Sequence, residues 1–396
     1  MTNPNYPTII GTGASSNSYA TNEKPVDMTP EMAQNYMGLT PATAILTRVS
    51  NARRAQNVQF DWIIEEVMPH KVTFDHASES GSGNTTIYCN DYKLLGYHDQ
   101  LYVPRTGEVM HVGAAVSSSS ITVRRGVGDT SETNLEAGDT IFILANAQEE
   151  GLSAIDTSRM AVNSRDYNYT QIITEMVNTT NSADNESTYF GGAGSKRERN
   201  QFKMNYNLRI KTELAIMLNY RENYTSGTLP QRSMGGFLQW LATGPNVLDL
   251  SGGSGGVLTE SALDSFLADI KNTHPDMLSL ACFASYQFIS KISSMFKDKI
   301  RISPNTTTFG LNIDRYFGAM GLDLIPAPLL DGDYLGGTAF MVDLTHVDLK
   351  YLRPFILKKN VNNSDDDDFA RDRIRGEVGM RFAIPSRHGM ITGLAI

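Results

Sequence analysis

The spacing of apolar residues changes period several times along the chain. From Phe202 onward they recur every four residues: Phe202, Tyr206, Ile210 and Leu214, with Met217 and Leu218 continuing the row. That is the period of a helix with one buried face. Ser195 and Glu198 supply the S-x-x-E spacing of a capping box at its start. No Pro or Gly intervenes before Gly227. The pattern therefore predicts one helix over 195–224, about 45 Å long. A rod of that length crosses a whole domain, and the other segments are expected to hang on it. Lys196, Arg197, Arg199 and Lys203 put positive charge at the positive end of its macrodipole. They read either as a solvated basic face or as a face neutralised by a neighbouring acidic surface.

Ahead of that helix the period drops to two. Phe60, Trp62 and Ile64 alternate with polar Asp61 and then Glu65, which predicts a strand over 58–67 with one buried face. Glu65 and Glu66, adjacent on a strand, point to opposite faces and make a poor acid/base couple. Short β-like runs follow at 85–89, 100–103, 108–112, 121–124 and 140–144, divided by turn residues such as Arg105-Thr106-Gly107 and Gly126-Val127-Gly128. Strands at this spacing predict a small barrel or sandwich over 78–150, inserted between two strands of a longer ribbon. Tyr167, Tyr169, Ile172 and Ile173 mark the return strand, and Gly191 to Gly194 a flexible joint before the long helix.

Beyond the long helix, helical and strand periods alternate. Phe237 to Leu241 read as a short helix or turn. Thr259 is placed to cap a helix, with Leu258 and Leu263 as its staple and Leu263, Phe266, Leu267 and Ile270 as its buried stripe. Ser285 is placed to cap another, with Phe288, Ile292, Met295 and Phe296 on one face. Strands are expected at 277–283, 322–325, 339–342 and 347–351, which together indicate an α/β lobe. Arg371 to Arg375 lead into a strand over 377–384 and a closing apolar run over 390–396. At the other end, residues 1–27 are dominated by Asn, Pro, Gly, Ser and Thr and are not expected to fold alone. Thr29-Pro30-Glu31 and Thr40-Pro41 each resemble a helix start, the second carrying Ala44, Ile45, Leu46 and Val49.

Composition narrows the function. At 396 residues the chain can fold as two or three lobes, and its formal charge of −9 argues against a protein that grips DNA. Cys89 and Cys282 cannot form a disulfide framework or a four-cysteine zinc site, and read as small buried hydrophobes. The polar start predicts no signal peptide, and no run approaches the length of a membrane span.

Reaction chemistry is not legible. The seven histidines form no H-E-x-x-H or H-x-x-x-H pattern. Asp343 and His346 lie close in sequence, but no G-x-S-x-G elbow supplies a nucleophile, so they read as structural. The Ser251 to Gly256 loop lacks the Gly-Lys-Ser/Thr of a phosphate cradle. The acidic run Asp365 to Asp368 reads as a solvated loop without the spacing of a calcium site. No catalytic, cofactor-binding or metal-ligating residue is assigned, and no enzyme is expected.

The order of the segments is informative where single motifs are short. Phe60-Asp61-Trp62 is followed by Gly107-Glu108-Val109, Ile121-Thr122-Val123-Arg124-Arg125-Gly126 and Ala137-Gly138-Asp139. Glu149-Glu150-Gly151, Tyr169-Thr170-Gln171-Ile172 and the long helix come next. This order resembles the major capsid proteins of tailed bacteriophages that carry a β insertion in their extended loop, and the resemblance covers nearly the whole chain. It implies an α+β chain of the Hong Kong 97 capsid fold. Residues 1–50 would be the N-terminal arm, and 51–77 with 151–194 the extended loop and peripheral-domain strands. Residues 78–150 would be the inserted β domain, 195–227 the spine helix of the peripheral domain, 228–355 the axial domain and 356–396 the return to the peripheral domain. The implied function is self-assembly into the icosahedral head of a phage, around double-stranded DNA that is enclosed without sequence-specific binding. The chief partner would be the chain itself, in pentamers and hexamers, with scaffold, portal and cement or decoration proteins as further candidates. The virion would be its location after assembly in the bacterial cytoplasm, with no membrane involved. An encapsulin-like compartment is the alternative, and a virion carbohydrate-binding or hydrolytic protein a more distant one.

Overall fold

The computed structural model describes residues 39–395, apart from 50–53, 66–68, 77–82, 84, 115, 117, 152–162, 187–194, 253–254, 296–299, 302–306, 309–310, 313, 319, 334 and 362–367. Residues 1–38 of the expected N-terminal arm, the Thr29-Pro30-Glu31 helix start, the Gly191 to Gly194 joint and Asp365 to Asp367 lie outside the described residues. The chain divides into two units, one made of residues 1–60 and 167–396, the other of 61–166.

In the larger unit the helices are α1 (Pro41–Val49), α2 (Asn181–Asn185), α3 (Ser195–Leu218), α4 (Phe237–Ala242), α5 (Glu260–Thr273) and α6 (Tyr286–Met295). Two sheets organise it. The first has seven strands in the order Val247–Asp249, Gly389–Thr392, Ala339–Val342, Ser279–Ala284, Gly321–Pro326, Asp314–Phe317 and Ile300–Arg301. Its central strand, Ser279–Ala284, is parallel to Gly321–Pro326 and antiparallel to Ala339–Val342. Being covered on both faces, Ala339–Val342 is buried at every position, as an unbroken apolar run should be. Leu263, Leu267 and Ile270 of α5 and Phe288 and Ile292 of α6 pack into the core of this sheet. Both expected caps are present. Thr259 Oγ1 accepts the N–H of Ala262 at 3.2 Å, and Ser285 Oγ accepts that of Phe288 at 3.0 Å.

The second sheet has three long strands: Val347–Lys358, Phe369–Phe382 and Gln171–Thr180. The central one is longer than the apolar pattern suggested, because it includes Arg371, Arg373 and Arg375. Pairing with Gln171–Thr180 runs unbroken from Phe369 to Val378. Backbone hydrogen bonds to both neighbours hold this polar stretch extended, which side-chain periodicity does not reveal. Register shifts flank Arg353, and the second spans Pro354, which has no N–H to give the ladder.

The long helix differs from expectation at its end and in its face. It stops at Leu218, making it about 36 Å long. Glu222–Ser226 then pairs with Leu229–Ser233 in a hairpin. Gly236 sits under the helix end and donates its N–H to Asn219 O at 2.8 Å, where a Cβ would stand 2.7 Å from Ile216 O. The buried residues are Met204, Leu208, Ala215, Ile216 and Met217, with polar Thr212 and Glu213. Phe202 and Leu214, two members of the expected stripe, are 51% and 36% exposed. Met204 and Leu208 follow Phe202 and Tyr206 by two residues, close to half a turn, so they define the opposite face.

The smaller unit is built on a six-stranded sheet, ordered Lys71–Thr73, Thr140–Asn146, Asp99–Val103, Glu108–Val112, Ser120–Arg124 and Thr86–Tyr88. Its first and last strands are linked by an antiparallel bridge between Phe74 and Cys89. The inward positions form one apolar core that includes Val72, Phe74, Ile87, Leu101, Met110, Ile121 and Ile141. Separately, Gln59–Ile64 pairs with Ser164–Tyr169 in a two-stranded ribbon in which Phe60, Trp62 and Ile64 are buried. Cys89 and Cys282 are both buried free thiols, and burial pushes each up to about 12.

Candidate functional site

The residues suspected of chemistry form structural networks. Burial would raise the Asp343 carboxyl, but bonds from His346, Thr345 and Arg387 hold it well below the usual range. Arg387 Nε donates to Asp343 Oδ2 at 2.9 Å, and its Nη2 donates to Asp276 Oδ2 at 2.8 Å. His388 accepts the Asp343 N–H at Nδ1 (3.0 Å) and bonds Ala383 O through Nε2 at 3.0 Å. Burial lowers its pKa to about 4, so it stays neutral. Every group here is occupied in tying the Ala339–Val342 strand to the turn at 385–387. No three His, Cys, Asp or Glu side chains among the described residues converge as a metal site requires. No described helix is long and apolar enough to cross a membrane.

Ionic staples elsewhere hold the frame. Of the four cations at the start of α3, Arg197 does meet a carboxylate. Its Nε and Nη2 donate to Asp372 at 2.8 and 2.5 Å, and Gln201 adds a bond at 2.7 Å. Arg197 holds the Asp372 carboxyl down at about 2. Glu213, wholly buried on the same helix, accepts the N–H groups of Ala42 (2.8 Å) and Thr43 (2.6 Å) at the start of α1. Nothing in the local sequence of α1 announces a cap supplied from 170 residues away.

In the smaller unit, Glu108 and Arg125 form a buried bidentate pair, Nε to Oε1 at 2.7 Å and Nη2 to Oε2 at 2.6 Å. Burial opposes ionisation of Glu108, but Arg125 and the N–H groups of Thr133 and Gly126 keep it below the usual range. Arg105 grips Asp139 in the same manner at 2.6 and 2.7 Å. The two carboxylates lie in the short motifs Gly107-Glu108-Val109 and Ala137-Gly138-Asp139, and Arg125 lies in Ile121-Thr122-Val123-Arg124-Arg125-Gly126. A sequence signal for the first was present. Glu108 shares the inward register with Met110 and Val112, and Arg125 that of Ile121 and Val123. Two opposite charges at core positions of neighbouring strands predict a pair.

One face of the three-stranded sheet is exposed among the described residues. Asp372, Ile374 and Thr179 lie on the face toward α3, where Arg197, Gln201 and Asn200 reach them. Arg371, Arg373 and Arg375 alternate onto the opposite face. There Arg373 lies beside Lys358 and Met176, and Arg375 beside Ile356 and Thr174. Arg353, Ile356, Lys358, Arg373 and Arg375 line a shallow hollow of about 220 Å³. The hollow is thus lined by cations and by the apolar Ile356.

The sequence model of the SU10 major capsid protein family matches residues 12–395. The chain belongs to that family. It is a structural capsid protein of a tailed phage, and the family is not one of enzymes. No curated protein matches the chain. Among solved structures, this capsid protein is similar to one titled for the Gordonia phage Cozz, at 10% identity, with 97% of this chain and 98% of that one covered and a TM-score of 0.49. It is similar to one from a native GTA particle capsid, at 9% identity over 97% and 100% of the two chains, with a TM-score of 0.48. The SrpI encapsulin of Synechococcus elongatus PCC 7942 is similar at 10% identity over 59% and 77%, with a TM-score of 0.42.

Proposed function

We propose that this capsid protein is a tile of the Hong Kong 97 type, closing into an icosahedral head around double-stranded DNA as pentamers and hexamers of itself. The observation that carries the reading is the family match across 12–395, joined to the order of elements along the chain. α3 serves as the spine of the peripheral domain, within 195–227. The ribbon of Gln59–Ile64 and Ser164–Tyr169 belongs to the extended loop, 51–77 and 151–194. The six-stranded sheet is the inserted β-barrel, centred on 78–150, and the bridge between Phe74 and Cys89 supports closure. The seven-stranded sheet with α5 and α6 is the core of the axial domain, 228–355. The strands of 356–396 return to the peripheral domain, and residues 1–50 form the N-terminal arm.

Cyclic symmetry suits such a tile, because one set of surfaces then satisfies every copy in a ring. Segments that cannot bury their own apolar faces gain stability only by covering a neighbour. The acidic balance of the chain favours an inner wall along which packaged DNA slides. Scaffold, portal and cement or decoration proteins fit as further partners, with assembly in the bacterial cytoplasm. Electron microscopy of the purified, expressed chain tests the reading. Closed shells with five-fold vertices are expected, and a monodisperse monomer under all assembly conditions overturns it.

A further inference from the structure

The formal charge of −9 conceals one strongly basic element. α3 carries six cations, Lys196, Arg197, Arg199, Lys203, Arg209 and Lys211, against only Glu198 and Glu213. The fold uses some of these groups internally. Arg197 is paired with Asp372, Lys211 with Glu175, and Glu213 is turned to the start of α1. Lys196, Lys203 and Arg209 have no ion-pair partner among the described residues, and Lys203 and Arg209 are exposed. From Lys196 to Arg209 the helix rises about 20 Å.

Arg209 also lines a hollow of about 400 Å³ between α1, α3 and the strand Val347–Lys358. Arg48 of α1 lines it too, so two guanidinium groups border one space. Thr40 and Asn205 add a hydroxyl and an amide, and Tyr351 and Phe355 give it an aromatic wall. Among the described residues no carboxylate lines it. The Arg209 guanidinium, the Asn205 amide and the Thr40 hydroxyl make no hydrogen bond to any described residue. Guanidinium, amide and hydroxyl donors are the groups that hold phosphate oxygens and sugars in nucleic-acid complexes. A lone carboxylate would meet the same charge but leave most of a hollow of this size, and its aromatic wall, unfilled. A phosphate with its sugar occupies both.

We propose that this hollow takes a backbone phosphate of the enclosed duplex, with the exposed cations of α3 meeting the phosphates beside it. The inference rests on the shell reading above and adds the place where nucleic acid touches the tile. Duplex DNA carries one charge per about 1.7 Å of its axis, so about 20 Å of helix lies against several phosphates whatever the sequence. Contacts of this kind position a duplex without reading its bases. Two guanidinium contacts per copy are weak singly and add up over the many copies of a shell. The acidic remainder of the chain repels the duplex elsewhere, which confines contact to the row along α3.

The test uses wild-type shells of the full chain, filled with DNA and empty, and phenylglyoxal, a reagent for accessible guanidinium groups. Mass spectrometry of the digested shells reads the modification of each arginine. Arg48 and Arg209 are expected to react several-fold less in filled shells than in empty ones. Equal protection in both means that a segment of protein covers the hollow, and equal reactivity in both means that nothing does; either result overturns the proposal. So does protection of empty shells by inorganic phosphate without protection in filled ones, which marks a free-anion site. The second arm titrates the unassembled full chain with a fluorescent duplex over a range of salt. Arg48→Gln with Arg209→Gln should weaken binding for every sequence alike. It should reduce the slope of log affinity against log salt by about 1.8, the contribution of two phosphate contacts. Lys71→Gln with Lys93→Gln removes the same charge from the smaller unit and should leave the slope as it is. An unchanged slope in the arginine variant, or an equal fall in the lysine variant, overturns the proposal. Failure of wild type to form shells overturns the shell reading and this inference together, whereas normal shells with no protection of Arg48 and Arg209 overturn this inference alone.

Discussion

Glu213 Oε2 accepts the backbone N–H of Thr43 at 2.6 Å and its Oγ1 hydroxyl at 2.5 Å. The carboxylate thus acts as the N-cap of α1 from another helix. Pro41 opens α1, and Ile45 and Leu46 are its buried face. Replacement Glu213→Ala leaves two buried or half-buried N–H groups without an acceptor. We expect about 2–3 kcal/mol of lost stability, and faster hydrogen exchange confined first to residues 41–49. Burial raises the Glu213 carboxyl above its ordinary 4.5. The sign follows: its contribution is largest below that value and declines as pH rises through the raised pKa. Protection of α1 in wild type should fall in that direction, and in Glu213→Gln it should not.

Asp372 behaves in the opposite way. Arg197 lowers its pKa from 3.8 to about 2, so the pair stabilises fully above about pH 4 and is lost as pH falls through about 2. Urea unfolding of wild type and Arg197→Gln should differ by about 2 kcal/mol at pH 6. The two curves should converge near pH 2. A constant gap down to that pH would show that Arg197 acts by packing alone.

The Glu108–Arg125 pair is closed from water, with side chains 0% and 1% exposed. Arg125→Met strands a buried carboxylate and should cost about 4 kcal/mol. The double change Glu108→Gln with Arg125→Met should recover most of that loss, because a neutral amide asks far less of the core. Thermal unfolding of the full chain, with exchange protection at 108–112 and 121–125, reads both.

Gly379 lies against the Phe60 ring, where a Cβ would stand 2.6 Å from Cε1 and 3.0 Å from Tyr169 O. Neither the buried ring nor the backbone can move away without disturbing the strand. Gly379→Ala should therefore destabilise by about 2 kcal/mol, measured as a fall in the urea midpoint at unchanged slope. Phe60→Leu should relieve the clash in the double variant.

The local signals in the sequence proved sound. Thr259 and Ser285 cap the helices they precede, and Phe60, Trp62 and Ile64 are buried in alternation. Such features depend on neighbours within a few residues, so a linear chain records them. The end of α3 was misplaced because Tyr220 to Tyr224 carry no breaker. A partner strand at 229–233, with its turn at Gly227, decides the conformation there. The face of α3 was misplaced because its apolar residues are spread around most of the helix circumference. Phe202 and Leu214 are exposed whereas Met204, Leu208 and Ile216 are buried, and only the packed sheet and α1 choose between them.

The sequence by itself thus determined the period of most elements, the caps of two helices, the segment order that resembles a capsid protein, and the sign of the total charge. Tertiary structure decided which distant groups meet: Glu213 with the backbone of Thr43, and Arg197 with Asp372. It also put five cations on one side of a sheet. The reason is range, since periodicity is written in contacts of three or four residues. A charge pair 175 residues apart, as Arg197 and Asp372 are, exists only once the chain has folded back on itself.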